Sequence, residues 1–193
     1  MKKGSGVLNK IRTEVKQHLS QSLFLHSIRV AEMAAVLAAD NNINIIKVQK
    51  AALLHDLAKE APKNKIRQWA SLSGWVPDQL EKMLEPVLHA PAGEYLCRTD
   101  FDVKDEKILE AVRFHTIGSP NMSPLARMIF LADMIEPQRD FPGVAKIRRL
   151  AKNDFDKSLI KACETSIKYN FIKSRIIHPN TLLLRNQILK GEL

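Results

Sequence analysis

The sequence predicts an all-α protein, a single helical-bundle domain of about nine or ten helices. Two observations carry that expectation. No segment alternates apolar and polar residues over six or more positions, and β-branched runs are short. Apolar residues instead recur at spacings of three and four along most of the 193 residues. A chain of this length buries a core without help from disulfides, and 45% hydrophobic with 26% charged residues is ordinary for a globular domain. Cys97 and Cys163 lie far apart, outside any metal-type spacing, and fit a reducing compartment.

The first helix is expected over about Val7 to His18. The second starts near Ser22, read as its N-cap, and runs to Ala39 before Asp40-Asn41-Asn42 breaks it. The third spans about Ile45 to Lys59. Pro62 opens a fourth that ends near Ser73-Gly74, and Asp78 after Pro77 is placed to cap a short helix through Leu84. Pro91 suits the first turn of a helix ending near Arg98. Asp105 caps a helix that ends at His115, and Ser123-Pro124 starts one that reaches Ile135. Pro137 and Pro142 stiffen the next loop. Helices follow over about Val144 to Lys152 and Asp154 to Lys173, and a loop containing Pro179 precedes a last helix from Thr181 to Lys190. No linker is long enough to divide the chain.

The formal charge is +9. Nucleic-acid binding needs a concentrated basic stripe, whereas these cations are dispersed; the densest cluster, Lys146 with Arg148 and Arg149, is short. Aromatics make up only 6%, too few for a stacking platform. The charge therefore suits a small polyanion or a merely solvated basic surface, and no nucleic-acid partner is expected. Met1-Lys2-Lys3-Gly4-Ser5-Gly6 lacks the apolar centre of a signal peptide. No run approaches the roughly 20 apolar residues of a bilayer span. The expectation is a cytoplasmic protein without a membrane anchor.

The chemistry concentrates in His26, His55-Asp56, His89, His115 and Asp133. Four of them sit on the apolar stripe of a predicted helix, His26 with Leu23, Val30 and Leu37, His55 with Val48 and Ala52 and with Asp56 beside it, His115 with Ile108 and Val112, Asp133 with Leu125 and Ile129. A lone histidine on such a face is usually a hydrogen-bonded core residue, and an aspartate at a helix end can cap a neighbour. Four inward imidazoles and two inward carboxylates in one small domain are harder to explain separately, because an isolated buried carboxylate is costly. Several helices pointing such groups inward build a metal site. Mixed imidazole and carboxylate donors suit iron, manganese, zinc or nickel; calcium and magnesium prefer oxygen. The lack of nearby cysteine argues against a closed structural zinc site. No Gly-x-Gly-x-x-Gly or Walker-type Gly-Lys-Ser/Thr is present.

His26, His55-Asp56 and Asp133 reproduce the H…HD…D pattern of the HD-domain phosphohydrolase superfamily. Leu88-His-Ala-Pro-Ala-Gly-Glu-Tyr-Leu96, Phe114-His-Thr-Ile-Gly118 and Leu131-Ala-Asp-Met-Ile-Glu-Pro-Gln-Arg-Asp-Phe-Pro-Gly143 resemble its YqeK branch, the bacterial symmetrical bis(5′-nucleosyl)-tetraphosphatases. The HD pair alone is a weak signal; the stretch from Ala132 to Gly143 is a specific one. The resemblance runs from about residue 13 to 187, leaving residues 1–12 as an N-terminal extension of a single domain spanning 1–193. It implies hydrolysis of diadenosine tetraphosphate to two ADP by metal-activated water. It also implies that His26, His55, Asp56 and Asp133 hold iron, with one or two ions present. His89 and His115 would complete a second metal position or touch phosphate. Asp56, Lys59, His89 and His115 would be the catalytic set. Lys59, Thr116, Arg139 and the Arg175-to-Asn180 loop, with Ile177 and His178, would contact the nucleotide. Lys59 has the plainer reading of an exposed helix-end lysine, and Glu136 is either a partner of the ligands or only a salt bridge. Other readings are another nucleotidase or phosphodiesterase of the superfamily, or a non-catalytic nucleotide sensor. A homodimer is compatible with a domain of this kind.

Overall fold

The computed structural model describes residues 2–74, 80 and 84–192. Among these residues there are ten α-helices and no strand: α1 (Lys2–His18), α2 (Gln21–Asp40), α3 (Ile45–Leu54), α4 (Lys63–Leu72), α5 (His89–Thr99), α6 (Glu106–Phe114), α7 (Pro124–Ile135), α8 (Val144–Asn153), α9 (Phe155–Ile172) and α10 (Pro179–Lys190). A single 3₁₀ turn, Glu85–Val87, precedes α5. The short helix expected from Pro77 to Leu84 lies outside the described residues.

Several ends form where side-chain oxygens await the first free N–H groups. Asp105 accepts from Lys107 N, Ser123 from Ala126 N and Asp154 from Lys157 N. Four boundaries differ from expectation. Helix α1 begins at Lys2 rather than Val7, and its Leu8, Ile11 and Val15 are buried in the core. The cap of α2 is Ser20, not Ser22, and its Oγ accepts from Leu23 N. Helix α3 stops at Leu54 instead of Lys59; residues 55–60 continue as tight turns closed by Leu57 N→Leu54 O, 3.3 Å, and Lys59 N→Asp56 O, 3.0 Å. The last helix begins at Pro179, which occupies the first turn, with His178 as its N-cap.

Helices α3 and α7 form the centre. α3 packs against α1, α2, α6 and α7; α7 packs against α2, α3, α6, α8 and α9. Leu53, Leu54, Met128, Ile129 and Leu131 are fully enclosed between them and their neighbours. α5 lies between α4 and α6, and α9 between α8 and α10. By length and mean hydropathy, 1.4, α2 is the one helix among the described residues apolar enough to cross a bilayer. Its apolar residues have a different explanation here: Val30, Ala31, Ala34 and Ala38 are wholly buried on a face that packs on α3 and α7.

One glycine fixes how α10 docks. Gly118, at φ +70°, closes the turn after His115, and a Cβ there would lie 2.8 Å from Leu184 Cδ2. Thr181 Oγ1 donates to Ile117 O across the same contact, 2.7 Å. The segment 175–180 is thereby held beside Thr116.

Candidate metal centre

Five parts of the fold bring the six residues together. His26 projects from α2, His55 and Asp56 follow α3, His89 opens α5, His115 ends α6, and Asp133 sits in the last turn of α7. The first five residues are buried; Asp133 is the most open, with 18% of its side chain exposed. The sequence periodicity therefore identified the inward positions, although His55, Asp56 and Lys59 stand in turns rather than on α3.

The local chemistry sets the state of each imidazole. His55 Nδ1 lies 2.7 Å from Ala52 O, His89 Nδ1 2.7 Å from Pro86 O, and His115 Nδ1 2.7 Å from Val112 O. A carbonyl only accepts, so each Nδ1 carries the proton and donates it three residues back. These bonds satisfy carbonyls at the ends of α3, of the 3₁₀ turn and of α6. His26 Nδ1 faces Glu136 Oε1 at 3.3 Å, and Glu136 is held by Arg29 Nε at 2.8 Å. Burial pushes the Glu136 pKa up, but bonds from Arg29, the Gln138 amide and His26 outweigh it and hold the carboxyl below its ordinary value.

All four Nε2 atoms thus turn lone pairs inward, where two carboxylates also turn theirs. His26 Nε2 is 3.0 Å from Asp133 Oδ1 and 3.7 Å from Asp56 Oδ2. His55 Nε2 is 3.2 Å from Asp56 Oδ2 and 3.9 Å from Asp133 Oδ1. On the other side, Asp56 Oδ1 lies 3.2 Å from His89 Nε2 and 3.3 Å from His115 Nε2, which are 3.1 Å from each other. Opposed lone pairs repel, so the arrangement calls for positive charge between them, whether a metal ion or a proton shared from an imidazole. Among the described residues, two groups have ligand atoms all within 4.8 Å of one another and can hold a metal ion: His26, His55 and Asp56, and Asp56, His89 and His115. Asp56 belongs to both, one oxygen turned to each pair of imidazoles. The C-terminal ends of α3, α6 and α7 add partial negative charge favourable to a cation.

The carboxylates are ionised. Burial alone would raise the pKa of Asp56, yet the charge and hydrogen bonds of His55, His115 and His89 hold it well below the ordinary range for aspartate. For Asp133, burial is likewise outweighed by His26, His55 and Arg139, and its pKa is also lowered.

Two cations border the cluster. Lys59 Nζ lies 2.8 Å from Asp56 Oδ2. Arg139 donates from Nε to Asp133 O at 2.9 Å and from Nη2 to Asp133 Oδ1 at 2.5 Å. Both touch ligand-type carboxylates as well as the space beside them. A cavity of about 990 Å³ opens from His115 and Asp133 past Arg139, walled by Phe130, Phe141 and Tyr169. A second, of about 680 Å³, is lined by Arg175, Ile177 and His178 beside Pro86 and Val87. Thr116 lines both. The residues expected to touch nucleotide are therefore divided, with Arg139 in the larger cavity and the Arg175 loop in the smaller.

Several contributors escaped the sequence. Glu94, buried on α5, is gripped by Arg113 of α6 and by Arg98, tying the helices that carry His89 and His115. Arg148, counted above among surface cations, donates to Ile135 O, Glu136 O, Pro137 O and Arg139 O at 2.6 to 3.3 Å and shapes the loop that carries Arg139. Glu94 and Arg98 have the local i,i+4 spacing, but the Glu94–Arg113 and Arg148 pairings have no local signal, because their partners are 9 to 19 positions away. The aromatic walls of the larger cavity come from three separate segments, which no periodicity connects.

A model of the HD domain matches residues 23–138, a span holding all six clustered residues. The chain is 41% identical to a symmetrical bis(5′-nucleosyl)-tetraphosphatase of Halalkalibacterium halodurans, over 91% of this chain and 93% of that one. It is 36% identical to the enzyme of the same description in Bacillus subtilis, over 92% and 95%. Among solved structures, a predicted HD superfamily hydrolase involved in NAD metabolism from Clostridium acetobutylicum superposes with a TM-score of 0.90 at 34% identity, covering 95% of this chain and 97% of that one.

Proposed function

From a chain that belongs to the HD domain family, we propose a metal-dependent hydrolase that cuts diadenosine tetraphosphate symmetrically into two ADP. The observation that carries this reading is Asp56, whose two oxygens face two separate pairs of imidazole Nε2 atoms. The curated relatives that match nearly the full chain and carry that activity support it.

His26, His55, Asp56 and Asp133 are the residues we assign to the principal ion, with His89 and His115 facing a second ion or a phosphate oxygen. Iron is the metal we assign, with manganese, zinc and nickel as the alternatives the donor set accepts. Bound there, a divalent ion supplies a water of lowered pKa and offsets phosphate charge. The chain's own residues do the rest. Arg139, fixed on Asp133, holds a guanidinium at the cavity mouth, where phosphate oxygens arrive. Lys59 keeps its ammonium beside Asp56 and is placed to follow charge developing on the leaving diphosphate. Thr116 lines both cavities, and its buried hydroxyl has no hydrogen-bond partner among the described residues. The reaction adds the oxygen of water to one inner phosphorus and breaks the central phosphoric anhydride. The proton passes to the medium and each half leaves as a nucleoside diphosphate.

Incubation of purified protein with diadenosine tetraphosphate, followed by separation of products and metal analysis of the same sample, tests the reading. Two ADP per substrate are expected; AMP with ATP in equal amounts would overturn the symmetrical assignment. Activity lost to a chelator and restored by single metals identifies the ion.

A further inference from the structure

We propose that the aromatic cavity walled by Phe130, Phe141 and Tyr169 seats the second nucleoside of a dinucleoside polyphosphate. The two halves of the substrate would then occupy two cavities that meet beside the metal cluster. The inference rests on the function proposed above and assigns a role to residues which that reading leaves unused.

Three observations carry it. The first is size and contiguity. The cavities measure about 990 and 680 Å³, each in the range of a site for one nucleotide-sized ligand. They share Thr116 and Ser166 as a common wall, so a polyphosphate passing over that wall reaches both.

The second is a division of chemistry. The smaller cavity mixes aliphatic residues, among them Val87, Ile117 and Ile177, with polar ones such as Asn170, Arg175 and His178, and has no Phe, Tyr or Trp in its lining. The larger offers flat apolar surfaces from Phe130, Phe141 and Tyr169, beside Lys168, Arg139 and a Lys161–Glu164 ion pair at 3.3 Å. An aromatic wall suits the face of a base, and Lys168 and Arg139 suit the adjoining phosphate. On α9 the larger cavity takes positions 161, 165, 168, 169 and 172, one helical face, so the wall is continuous.

The third joins the two rims. The Arg175 guanidinium, from the smaller cavity, stacks over the Tyr169 ring of the larger one at 5.5 Å. His115 and Asp133 border only the larger cavity, and Thr116, next to His115, stands on the shared wall. The reacting centre of the tetraphosphate therefore falls where a bound molecule crosses from one cavity to the other, as a cut at its midpoint requires.

The test compares two substrates with the same tetraphosphate and different numbers of bases, diadenosine tetraphosphate and adenosine 5′-tetraphosphate. Phe141→Ala, and Tyr169→Ala at an exposed rim position, should lower kcat/KM for the first roughly tenfold and change the second less than about twofold. Equal losses on both substrates, or none on either, would overturn the proposal. ADP titration of the metal-loaded protein gives a readout independent of turnover. Two ADP should bind per chain, and one after Thr165→Trp fills the larger cavity; a single ADP on the unmodified protein would also overturn it. Absence of symmetrical cleavage by the unmodified protein would instead sink the proposed function, and the ADP stoichiometry would still decide the cavity.

Discussion

The metal-type cluster and the cavity walls beside it are built on opposite principles. In the cluster, three of the four histidines are pinned by their own neighbourhood: His55, His89 and His115 each donate to a carbonyl three residues back, and only His26 relies on a distant partner, Glu136. The walls of the larger cavity are assembled from distant parts, Phe130 on α7, Phe141 in a loop and Tyr169 on α9, and Tyr169 is half exposed. Groups that must hold one ion within tenths of an ångström are fixed by short-range bonds. The walls that would receive a substrate run from the buried Phe130 out to the half-exposed Tyr169, where a ligand can reach them. Ligand positions should therefore tolerate no change, and wall positions should tolerate change in fold while altering substrate use.

The sharpest break between the two regions is Asp56→Ala. It removes a group shared by both sets of imidazoles, and turnover should fall by about three orders of magnitude or more with loss of bound metal. Metal content measured with activity checks this, and retained activity would mean the cluster is not the working centre. Next comes Arg139→Ala, which should lower kcat/KM by roughly ten- to a hundredfold with the metal retained. Glu94→Gln should leave Arg113 without its buried partner and cost about 3 kcal/mol of stability, read from the denaturant midpoint; activity should fall only as α5 and α6 loosen.

Acid should act on the cluster before the walls. The pKa values of Asp56 and Asp133 are lower in the folded chain than in the unfolded one. Their contribution is therefore complete above the unfolded aspartate value, about pH 4, and is lost as pH falls through the folded values. Metal-free protein should lose stability below about pH 4, and Asp133→Asn should flatten that loss. The smallest effect concerns the thiols. Burial pushes Cys163 up to about 12 and raises Cys97 as well, so both should resist alkylation at pH 8 until the protein unfolds. Rapid labelling of the native chain would show an opening that the packed core does not contain.

The same contrast explains what the sequence made legible. Caps at Asp105, Ser123 and Asp154, and the inward stripes carrying His26, His115 and Asp133, follow from rules spanning three or four residues. The end of α3 was misplaced because Leu57 and Ala58, in the turns beyond it, are as buried as the helix itself. Periodicity reports burial, and burial continued where the helix did not. The N-cap of α2 moved two residues because two serines, Ser20 and Ser22, offered the same hydroxyl, and only Ser20 also meets Glu60. The residues expected to contact nucleotide are divided: Arg139 lines one cavity, Arg175, Ile177 and His178 the other, and Lys59 neither, a separation that appears only when α9 and α10 are folded against the rest.

Arg148 carries a last consequence. Its planar guanidinium reaches four carbonyl groups of the turn between α7 and α8 and binds no carboxylate there. Lysine has the same charge but gathers its donors on one nitrogen, and it cannot span that arc. Evolutionary drift from arginine to lysine at this site would leave isoelectric point and surface potential unchanged, yet would release the strap that aims Arg139. Conservation scored by charge class would pass over the loss.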